Sequence, residues 1–425
     1  MIHLTPEQSE ALTSIIKFLS SPNHIFILKG YAGAGKTTLL NALIHSLKTV
    51  APTRHYMVFA PTGRAAKILR QKTGKGETIH KGIYIKHADN LIYEKNEDTQ
   101  EEEVKEEQET KLIFDLRTPD VSNPIIIIDE SSMISSKTSH DPQFQFGSDN
   151  LLEDLMEFAN LHKGGKLIFV GDDAQLPPVG ESQSNALSEE YFNQKGFSVQ
   201  TAALTRVLRQ GNGSLILENA TSLRKTLFDK TPFHSFKYAE GEFSKTDSNL
   251  IASKYLQEGD DTIIITPRNE FALHYNQKIR AECFSRADAP VPGDRLLITR
   301  NAYNIPVKNE TQPNAPANEV DLFNGEFCEI LAVGEEEARA AFVGKERVTL
   351  KFRDVTIRHE TGMELTVKIH SSLLDSPLPS LNELESKALF SDFIARFPNL
   401  RKKNLKNELL RKLRADSYFN ALHVK

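Results

Sequence analysis

A glycine-rich segment at residues 30–37 constrains the fold of this chain more than any other part of its sequence. It reads Gly-Tyr-Ala-Gly-Ala-Gly-Lys-Thr, with the spacing G-x-x-x-x-G-K-T, and it follows the apolar run 25–29. Between a strand and a helix, here predicted over 38–47, this spacing is the phosphate-cradling P-loop pattern. Its glycines let several backbone N–H groups face one anion at a helix N-terminus. The alternative is a glycine-rich turn that binds nothing.

The residue types of this segment predict the part that each takes in nucleotide binding. Lys36 would reach the β- and γ-phosphates, and the Thr37 hydroxyl would hold Mg²⁺. The expected nucleotide-binding residues of the segment are Gly30, Gly33, Gly35, Lys36, Thr37 and Thr38.

Length and composition are those of an ordinary globular protein. A chain of 425 residues is long enough for about two to four domains. Its two cysteines, Cys283 and Cys328, provide neither a disulfide framework nor metal-ligand spacing, which favours a reducing compartment. We see no signal peptide and no apolar run near the ~18 residues that a membrane span needs. We therefore expect a cytoplasmic chain.

Charge is unevenly distributed along the chain, whose net charge is −5. Residues 90–110 hold nine acidic side chains and two lysines, so this stretch carries −7 and is expected to be a disordered or protruding insertion. Residues 401–414 hold seven basic side chains and one acidic. Leu405, Leu409 and Leu413 share one helical face there, which predicts a basic amphipathic helix. Its basic face either binds phosphates or is a solvated face on a packed helix.

Four short apolar runs alternate with helical patterns in the first half of the chain. They are 25–29, 56–60, 125–128 and 167–170. Near-continuous apolar strands between helices predict an α/β fold with a parallel sheet covered on both faces. A polar cluster follows each run, and in such sheets ligands bind outside the carboxyl ends of the strands. All four clusters are therefore expected to line one edge of the sheet.

The polar clusters supply candidate catalytic residues. Asp129 suits the binding of Mg²⁺, and Glu130 suits a base or water-orienting carboxylate. Gln175 could sense the γ-phosphate or the attacking water. The alternatives are a solvated turn for the acidic pair and a loop residue satisfied by backbone for Gln175.

The second cluster contains candidates for binding a nucleic-acid strand. Thr62 and the helix start at Gly63-Arg64 could bind a phosphate, and Arg64 or Lys67 could add positive charge. A capped helix start that binds nothing has the same appearance.

Taken in order, these motifs resemble those of superfamily 1B DNA helicases of the RecD/Dda type, over most of the chain. The matching segments are 4–8, 30–37, 60–66, 78–80, 129–133, 171–179 and 204–210. The resemblance implies a RecA-like P-loop ATPase that uses ATP and Mg²⁺ and moves 5′→3′ on single-stranded DNA as a monomer. It further implies that Gln8 reads adenine and that Arg209 reaches the γ-phosphate. Thr62 and the turn Thr78-Ile79-His80 would contact the strand.

The second half of the chain is expected to continue this architecture. The run 261–267 is typical of a buried strand, and a helix is predicted over 269–283, as at the start of a second RecA-like lobe. Short alternating runs at 295–299, 327–333, 347–352 and 365–369 predict a small antiparallel β domain, similar to an SH3-like insertion of the family. The expected domains are a RecA-like ATPase domain over 1–235 with an acidic insertion at 90–118, the start of a second RecA-like lobe over 236–291, and an SH3-like β domain over 292–400. A basic helix over 401–425 is expected to return to the second lobe.

Two motifs that follow this point in the family, including one that supplies a second arginine finger, do not occur before Lys425. The expectation is a chain that binds ATP–Mg²⁺ but is a poor or inactive helicase. Two functions remain open, a DNA helicase and an ATP- and single-strand-binding fragment without motor activity. A nucleotide-sensing regulatory ATPase is disfavoured by Gln175 and Arg209. The sequence indicates neither protein partners nor the pathway, whether repair, recombination or a mobile element.

Overall fold

The computed structural model divides the chain into two compact units. Unit 1 comprises residues 1–87, 113–141 and 145–245, and unit 2 comprises residues 88–112, 142–144 and 246–425. The structure describes residues 3–85, 91–94, 109–119, 121, 123–139, 144–208, 214–233, 235–259, 262–283, 289–307, 318–401 and 406–425.

The first 245 residues contain both helices and strands, which alternate except over β4 to β8. In chain order they are α1 (Pro6–Ser20), β1 (Ile25–Gly30), α2 (Lys36–Val50), β2 (Tyr56–Ala60), α3 (Gly63–Thr73), β3 (Glu77–Thr78), α4 (Ile79–Ile83), β4 (Tyr84–Ile85), β5 (Leu91–Glu94), β6 (Glu109–Leu116), β7 (Ile125–Ile128), β8 (Phe144–Phe146), α5 (Leu151–Phe158), β9 (Lys166–Gly171), α6 (Glu189–Gln194), β10 (Val199–Leu204) and α7 (Leu215–Asp229). Short 3₁₀ turns occupy Ser131–Met133, Leu161–Lys163 and Asn185–Leu187.

Unit 1 is built on a six-stranded sheet in the order β10-β1-β9-β7-β2-β3. Every neighbouring pair in it is parallel, for example Ile25 opposite both Leu167 and Val199. The four apolar runs are β1, β2, β7 and β9, so the predicted parallel sheet is confirmed.

The continuous apolar character of these strands follows from burial on both faces. Alternate residues such as Phe26 and Ile127 pack with α1, α2 and α3 in one core. Their neighbours, such as Ile27 and Ile128, pack with α4, α5 and α6 in a second core. Because helices cover both faces, polar groups concentrate where the strands end. The P-loop and residues 61–66, 129–133 and 171–178 therefore share one edge, as predicted.

The acidic insertion lies largely outside the described residues. Its ends form a hairpin in which β5 pairs antiparallel with β6, and β6 also pairs with β4. The prediction of a disordered or protruding segment concerns mainly residues 95–108, which the structure does not describe.

Unit 2 combines helices with antiparallel strands. In chain order its elements after residue 245 are α8 (Ile251–Glu258), α9 (Asn269–Cys283), β11 (Arg295–Leu297), β12 (Ala302–Val307), β13 (Asn318–Leu322), β14 (Phe327–Val343), β15 (Glu346–His359), β16 (Glu364–His370), α10 (Glu383–Arg396) and α11 (Lys406–Ala415). Short 3₁₀ turns occupy Ser248–Leu250, Ser371–Leu373 and Pro398–Arg401.

The predicted antiparallel β region is confirmed as a four-stranded sheet in the order β11-β14-β15-β16, beside the two-stranded pair β12-β13. Three of its strands, β14, β15 and β16, are longer than the alternating runs indicate, with β14 extending over 17 residues, whereas β11 is shorter. The end of the chain joins this sheet, since Val424 bridges to Ile298 and Leu422 bridges to Ile369. Residues 421–425 therefore pack with the β region, although the β domain predicted from the sequence ends at residue 400.

The basic amphipathic helix is present as α11. Its Leu409 and Leu413 are buried, while Arg411, Lys412 and Arg414 are exposed. A solvated basic face on a packed helix therefore describes the observed arrangement; Leu405 lies outside the described residues.

One predicted strand is wrong. Residues 262–267 form no strand, and Ile263 and Ile265 are 65% and 87% exposed. A strand requires a neighbour for its backbone hydrogen bonds, and within the described residues no β-strand pairs with this run. The helix predicted over 269–283 is confirmed as α9.

In the described part of the chain, no helix is both long enough and apolar enough to cross a membrane.

Candidate functional site

The P-loop turn depends on glycine at positions where the backbone and the available space both require it. Gly33 and Gly35 have φ of 80° and 81°, a region that disfavours residues with a Cβ. A Cβ on Gly35 would lie 2.3 Å from Nε2 of Gln8. The segment between β1 and α2 is therefore a tight cradle that opens at a helix N-terminus, the geometry that binds phosphate groups.

Lys36 is held inside this cradle. Its side chain is buried, and its ammonium donates to the carbonyl oxygens of Gly30 at 2.9 Å and Tyr31 at 3.3 Å. A phosphate group offers this cation a charged acceptor in place of two neutral ones, which makes a stronger hydrogen bond. Thr37 is half-buried and Thr38 is exposed on the first turn of α2.

Asp129 and Glu130 lie at the carboxyl end of β7. Burial, together with the neighbouring Glu130 carboxylate, raises the pKa of Asp129 to about 6, while the Lys36 ammonium opposes the rise. Mg²⁺ prefers oxygen ligands, and the Asp129 carboxylate and the Thr37 hydroxyl supply them, so these residues fit the ion.

Glu130 adopts a conformation that is uncommon for a residue with a side chain. Its φ is 52°, and its N–H donates to Oδ1 of Asp129 at 3.0 Å. A non-glycine residue held at positive φ costs about 1 to 3 kcal/mol, and such residues cluster at functional sites. The turn places two successive carboxylates at the end of β7.

The loop after β9 carries Gln175 to the same edge. The Ser132 hydroxyl donates to the side-chain Oε1 of Gln175 at 3.3 Å, and the backbone N–H of Gln175 donates to the Asp172 carbonyl oxygen at 3.1 Å. The side chain of Gln175 is exposed. The loops after β7 and β9 are therefore joined by a hydrogen bond through the Gln175 side chain.

Gln8 contacts the P-loop directly. It is 2% exposed, and its Nε2 donates to the carbonyl oxygens of Ala34 at 3.1 Å and Gly35 at 3.4 Å. Its Oε1 accepts from the N–H of Thr5 at 2.9 Å, which completes the capping box of α1. Reading of adenine by Gln8 stays a prediction; the hydrogen bonds observed here support the loop.

The segment that follows β10 also packs against the P-loop, through contacts that the sequence does not reveal. Leu208 donates its N–H to the Gly33 carbonyl oxygen at 2.9 Å. Glu7 accepts from both the N–H and the hydroxyl of Thr205 at 2.8 Å, and from the N–H of Arg206 at 3.2 Å. Arg209 itself lies outside the described residues, so its role stays a prediction.

The candidate DNA-binding residues occupy helix starts. Thr62 caps α3 by accepting from Ala65 N–H at 3.2 Å, and Thr78 caps α4 by accepting from Lys81 N–H at 3.3 Å. Arg64 lies in the first turn of α3. His80 is exposed, and its ring meets that of Phe146 edge-to-face at 4.9 Å between centroids. Each threonine thus has a capping role in the structure, whether or not it contacts DNA.

Comparison with known proteins provides a family for this fold and site. Residues 3–231 match the family described as AAA domain. The protein R530 of Acanthamoeba polyphaga mimivirus is 24% identical over 72% of this chain, which spans 62% of that relative's length. The ATP-dependent DNA helicase dda of Enterobacteria phage T4 is 26% identical over 86% of this chain and 74% of the relative.

Among solved structures, the Pif1 helicase from Candida albicans is 18% identical, with a TM-score of 0.37 over 87% of this chain and 78% of that one. The AAA domain match covers more than half of the chain and includes the P-loop, Asp129, Glu130 and Gln175. The chain therefore belongs to the AAA domain family.

Proposed function

We propose that this chain hydrolyses ATP with Mg²⁺ and couples hydrolysis to 5′→3′ movement on single-stranded DNA, as a DNA helicase. One observation carries the proposal: the cradle containing Lys36 follows β1 and the carboxylates of Asp129 and Glu130 follow β7, at one edge of a parallel sheet in which β9 lies between these two strands. The phage T4 relative, whose name describes an ATP-dependent DNA helicase, supports the reaction class. The polarity rests on the resemblance to superfamily 1B.

Each residue of the site has a distinct part in the proposed reaction. Lys36 exchanges its two carbonyl acceptors for the β- and γ-phosphate oxygens and compensates the charge that develops there. Thr37 and Asp129 hold Mg²⁺, which draws charge from the phosphates when bound.

The attacking water requires a base and an orienting group. Glu130 takes the proton of this water, and its position beside Asp129 is maintained by the backbone hydrogen bond to Oδ1. Gln175 orients the water or senses the γ-phosphate. The Ser132 hydroxyl donates to the side-chain amide oxygen of Gln175, so a movement of one loop alters the position of the other.

The proposed DNA contacts are at the starts of α3 and α4. Thr62, which is half-buried, and Thr78, which is buried, place hydroxyl groups there, and Arg64 and His80 lie beside them in sequence. Helix N-termini favour anions, and hydroxyl and arginine groups commonly bind phosphates in nucleic-acid complexes. These residues are expected to position the strand without reading its sequence.

A second candidate function is an ATP- and single-strand-binding protein without motor activity. The exposed run 262–267 favours it, because the residues expected to begin a second parallel sheet are unpaired within the described part of unit 2. A motor requires a second lobe that responds to nucleotide.

Unwinding of a partial duplex separates these functions. We expect the chain with ATP and Mg²⁺ to displace a labelled strand from a duplex with a 5′ single-stranded extension and not from one with a 3′ extension. Lys36→Ala should displace neither. Strand binding and ATP hydrolysis without displacement would support the second function, and displacement from the 3′ substrate alone would contradict the proposed polarity.

A further inference from the structure

Arg224, which lies in none of the sequence motifs, joins the loop after β9 to the P-loop. From α7, its Nη1 contacts the Asp172 carboxylate and its Nη2 contacts the Asp173 carboxylate. The same guanidinium lies over the ring of Tyr31, with its carbon 3.9 Å from the ring centroid. A planar guanidinium is suited to this combination, because it can fork between two oxygens while it stacks on an aromatic face.

Both groups that Arg224 contacts are connected to the nucleotide site. Asp172 accepts from the N–H of Ala174 at 3.0 Å, and its carbonyl oxygen accepts from the N–H of Gln175. Tyr31 belongs to the P-loop, and its carbonyl oxygen accepts from the Lys36 ammonium at 3.3 Å. One side chain thus links the turn that presents Gln175 with the residue that holds Lys36.

The charges at this position add a second effect. Asp172 and Asp173 place two carboxylates beside a site for a polyanion. Arg224 compensates them, with help from Lys29, whose ammonium lies 3.3 Å from Oδ2 of Asp173. Burial lowers the pKa of the Arg224 guanidinium, but the contacts with Asp172 and Asp173 outweigh it and raise that pKa above its ordinary value. Arg224 therefore stays charged at any pH of interest.

Core packing does not account for the position of Arg224. Within α7, Asn219 is the buried residue, and Leu223, Leu227 and Phe228 are 37%, 58% and 52% exposed. Asn219 exchanges two 2.8 Å hydrogen bonds with the backbone of Lys237. The helix is attached by polar contacts, and those of Arg224 lie on the side of the nucleotide site.

We propose that Arg224 is a positioning residue of the nucleotide site, which holds the Gln175 loop against the P-loop and neutralises Asp172 and Asp173 beside the triphosphate. This inference rests on the proposed ATP hydrolysis. Arg224 acts through Asp172, Asp173 and Tyr31, and no direct contact with the reacting phosphate is assigned to it.

Two substitutions separate the charge of Arg224 from its geometry. Arg224→Ala removes both, so we expect the KM for ATP to rise about tenfold and kcat to fall about tenfold. Arg224→Lys keeps the charge but cannot fork between two carboxylates and stack on Tyr31. It should restore KM to within about threefold of the wild type while kcat stays about fivefold lower. Lys225→Ala, an exposed neighbour on the same helix, is the matched control and should leave both constants unchanged.

A double-mutant cycle with Asp173→Asn tests whether Arg224 acts through this carboxylate. Asp173→Asn should lower kcat in the wild-type background and have at most about half that effect, in log units, in the Arg224→Ala background. Circular dichroism melts of each variant show whether unit 1 remains folded. Should Arg224→Ala unfold, Arg224→Lys and Asp173→Asn supply the same comparison, because each retains part of the contact.

The result that overturns the inference is Arg224→Ala behaving like Lys225→Ala, or Arg224→Lys restoring kcat together with KM. Titration with a fluorescent ATP analogue, run in parallel, distinguishes the two levels of proposal. A wild type that neither binds nor hydrolyses ATP would overturn the proposed function and this inference with it. An active wild type with an unaffected Arg224→Ala variant would overturn this inference alone.

Discussion

At the scale of single residues, the site combines uncommon backbone conformations with a buried ionisable group. Gly35 and Glu130 both have positive φ, and Asp129 is a buried carboxyl group with a raised pKa. The positive φ of Glu130 and the burial of the Asp129 carboxyl group each cost free energy in the folded state, whereas Gly35 adopts its positive φ without steric cost. Their occurrence together at one sheet edge is typical of a site where geometry serves chemistry.

Substitution of Glu130 tests its proposed part as the base. Glu130→Gln keeps the size of the side chain and removes its basicity, so we expect kcat for ATP hydrolysis to fall about 10² to 10³-fold with little change in KM. Steady-state phosphate release measures both constants. A kcat within threefold of the wild type would exclude Glu130 as the base.

Glu130→Gly is the companion variant, because glycine adopts φ of 52° without steric cost. We expect it to raise the free energy of unfolding of unit 1 by up to about 1 kcal/mol while hydrolysis is lost.

Gly35 and Gly74 form a matched pair that separates backbone strain from loss of space. Gly35 has φ of 81° and a potential clash with Gln8, whereas Gly74 has φ of 74° and open space around its missing Cβ. Gly74→Ala should cost about 1 to 2 kcal/mol and leave nucleotide binding intact. Gly35→Ala should cost more and abolish binding of a fluorescent ADP analogue. Equal effects of the two variants on binding would show that the cradle does not depend on the space at Gly35.

Some site residues could be found from the sequence, and others could not, for a physical reason. Lys36, Asp129, Glu130 and Gln175 follow strands directly, so the rule for parallel sheets places them at one edge. Arg224 reaches Asp172 across 52 residues of chain, from a helix with no motif of its own. Such a contact depends on where α7 packs, which local sequence patterns do not encode.

At the scale of secondary-structure elements, burial on both faces explains which strands were predictable. β1, β2, β7 and β9 are central and continuously apolar, whereas β10 lies at the sheet edge and is only partly buried, and β3 has two residues. The run 262–267 has the composition of the central strands, yet forms no strand in the structure. Composition indicates that a strand can form, and a neighbouring strand decides whether it does.

The β region of unit 2 contains a buried histidine pair, formed by His370 of β16 and His423. Their ring centroids are 4.9 Å apart, and in each ring at least one buried nitrogen has no hydrogen-bond partner. Burial, followed by the nearby charge of Arg300, lowers the pKa of His423 to about 3. Burial, His423 and Arg300 hold the pKa of His370 well below its ordinary value.

This pair predicts acid sensitivity of the β region. Both folded-state pKa values lie below the unfolded value of 6.5, so the unfolded chain binds more protons. Stability is therefore fully present above pH 6.5 and falls as the pH decreases from 6.5 toward 3, by up to about 1.4 kcal/mol per pH unit for each histidine. Hydrogen exchange of β16 amides at pH 7.5 and pH 5, corrected for intrinsic rates, measures the change in opening free energy.

His423→Leu should reduce the number of protons taken up on unfolding by about one and so weaken the pH dependence of stability. His274→Gln, at an exposed position on α9, should leave the pH dependence unchanged. Equal protection of β16 at the two pH values in the wild type would contradict the assignment of a buried neutral pair.

At the scale of the whole molecule, a parallel α/β unit with a P-loop and a unit rich in antiparallel strands occupy one chain. The first was predictable in detail, because its motifs and its apolar strands point to the same structure. The second was predictable as antiparallel β structure, and the packing of residues 421–425 into its sheet was not. That packing depends on contacts between distant parts of the chain, which alternation of apolar residues does not specify.

The central claim is that residues 30–37 and the Asp129–Glu130 pair form an ATP-hydrolysing site that responds to single-stranded DNA. Steady-state ATP hydrolysis by the full chain, with and without an oligonucleotide, tests it most directly. We expect Mg²⁺-dependent hydrolysis that the oligonucleotide increases at least about tenfold, and its loss in Lys36→Ala. Hydrolysis that persists in Lys36→Ala, or a wild type that binds no nucleotide, would contradict the account.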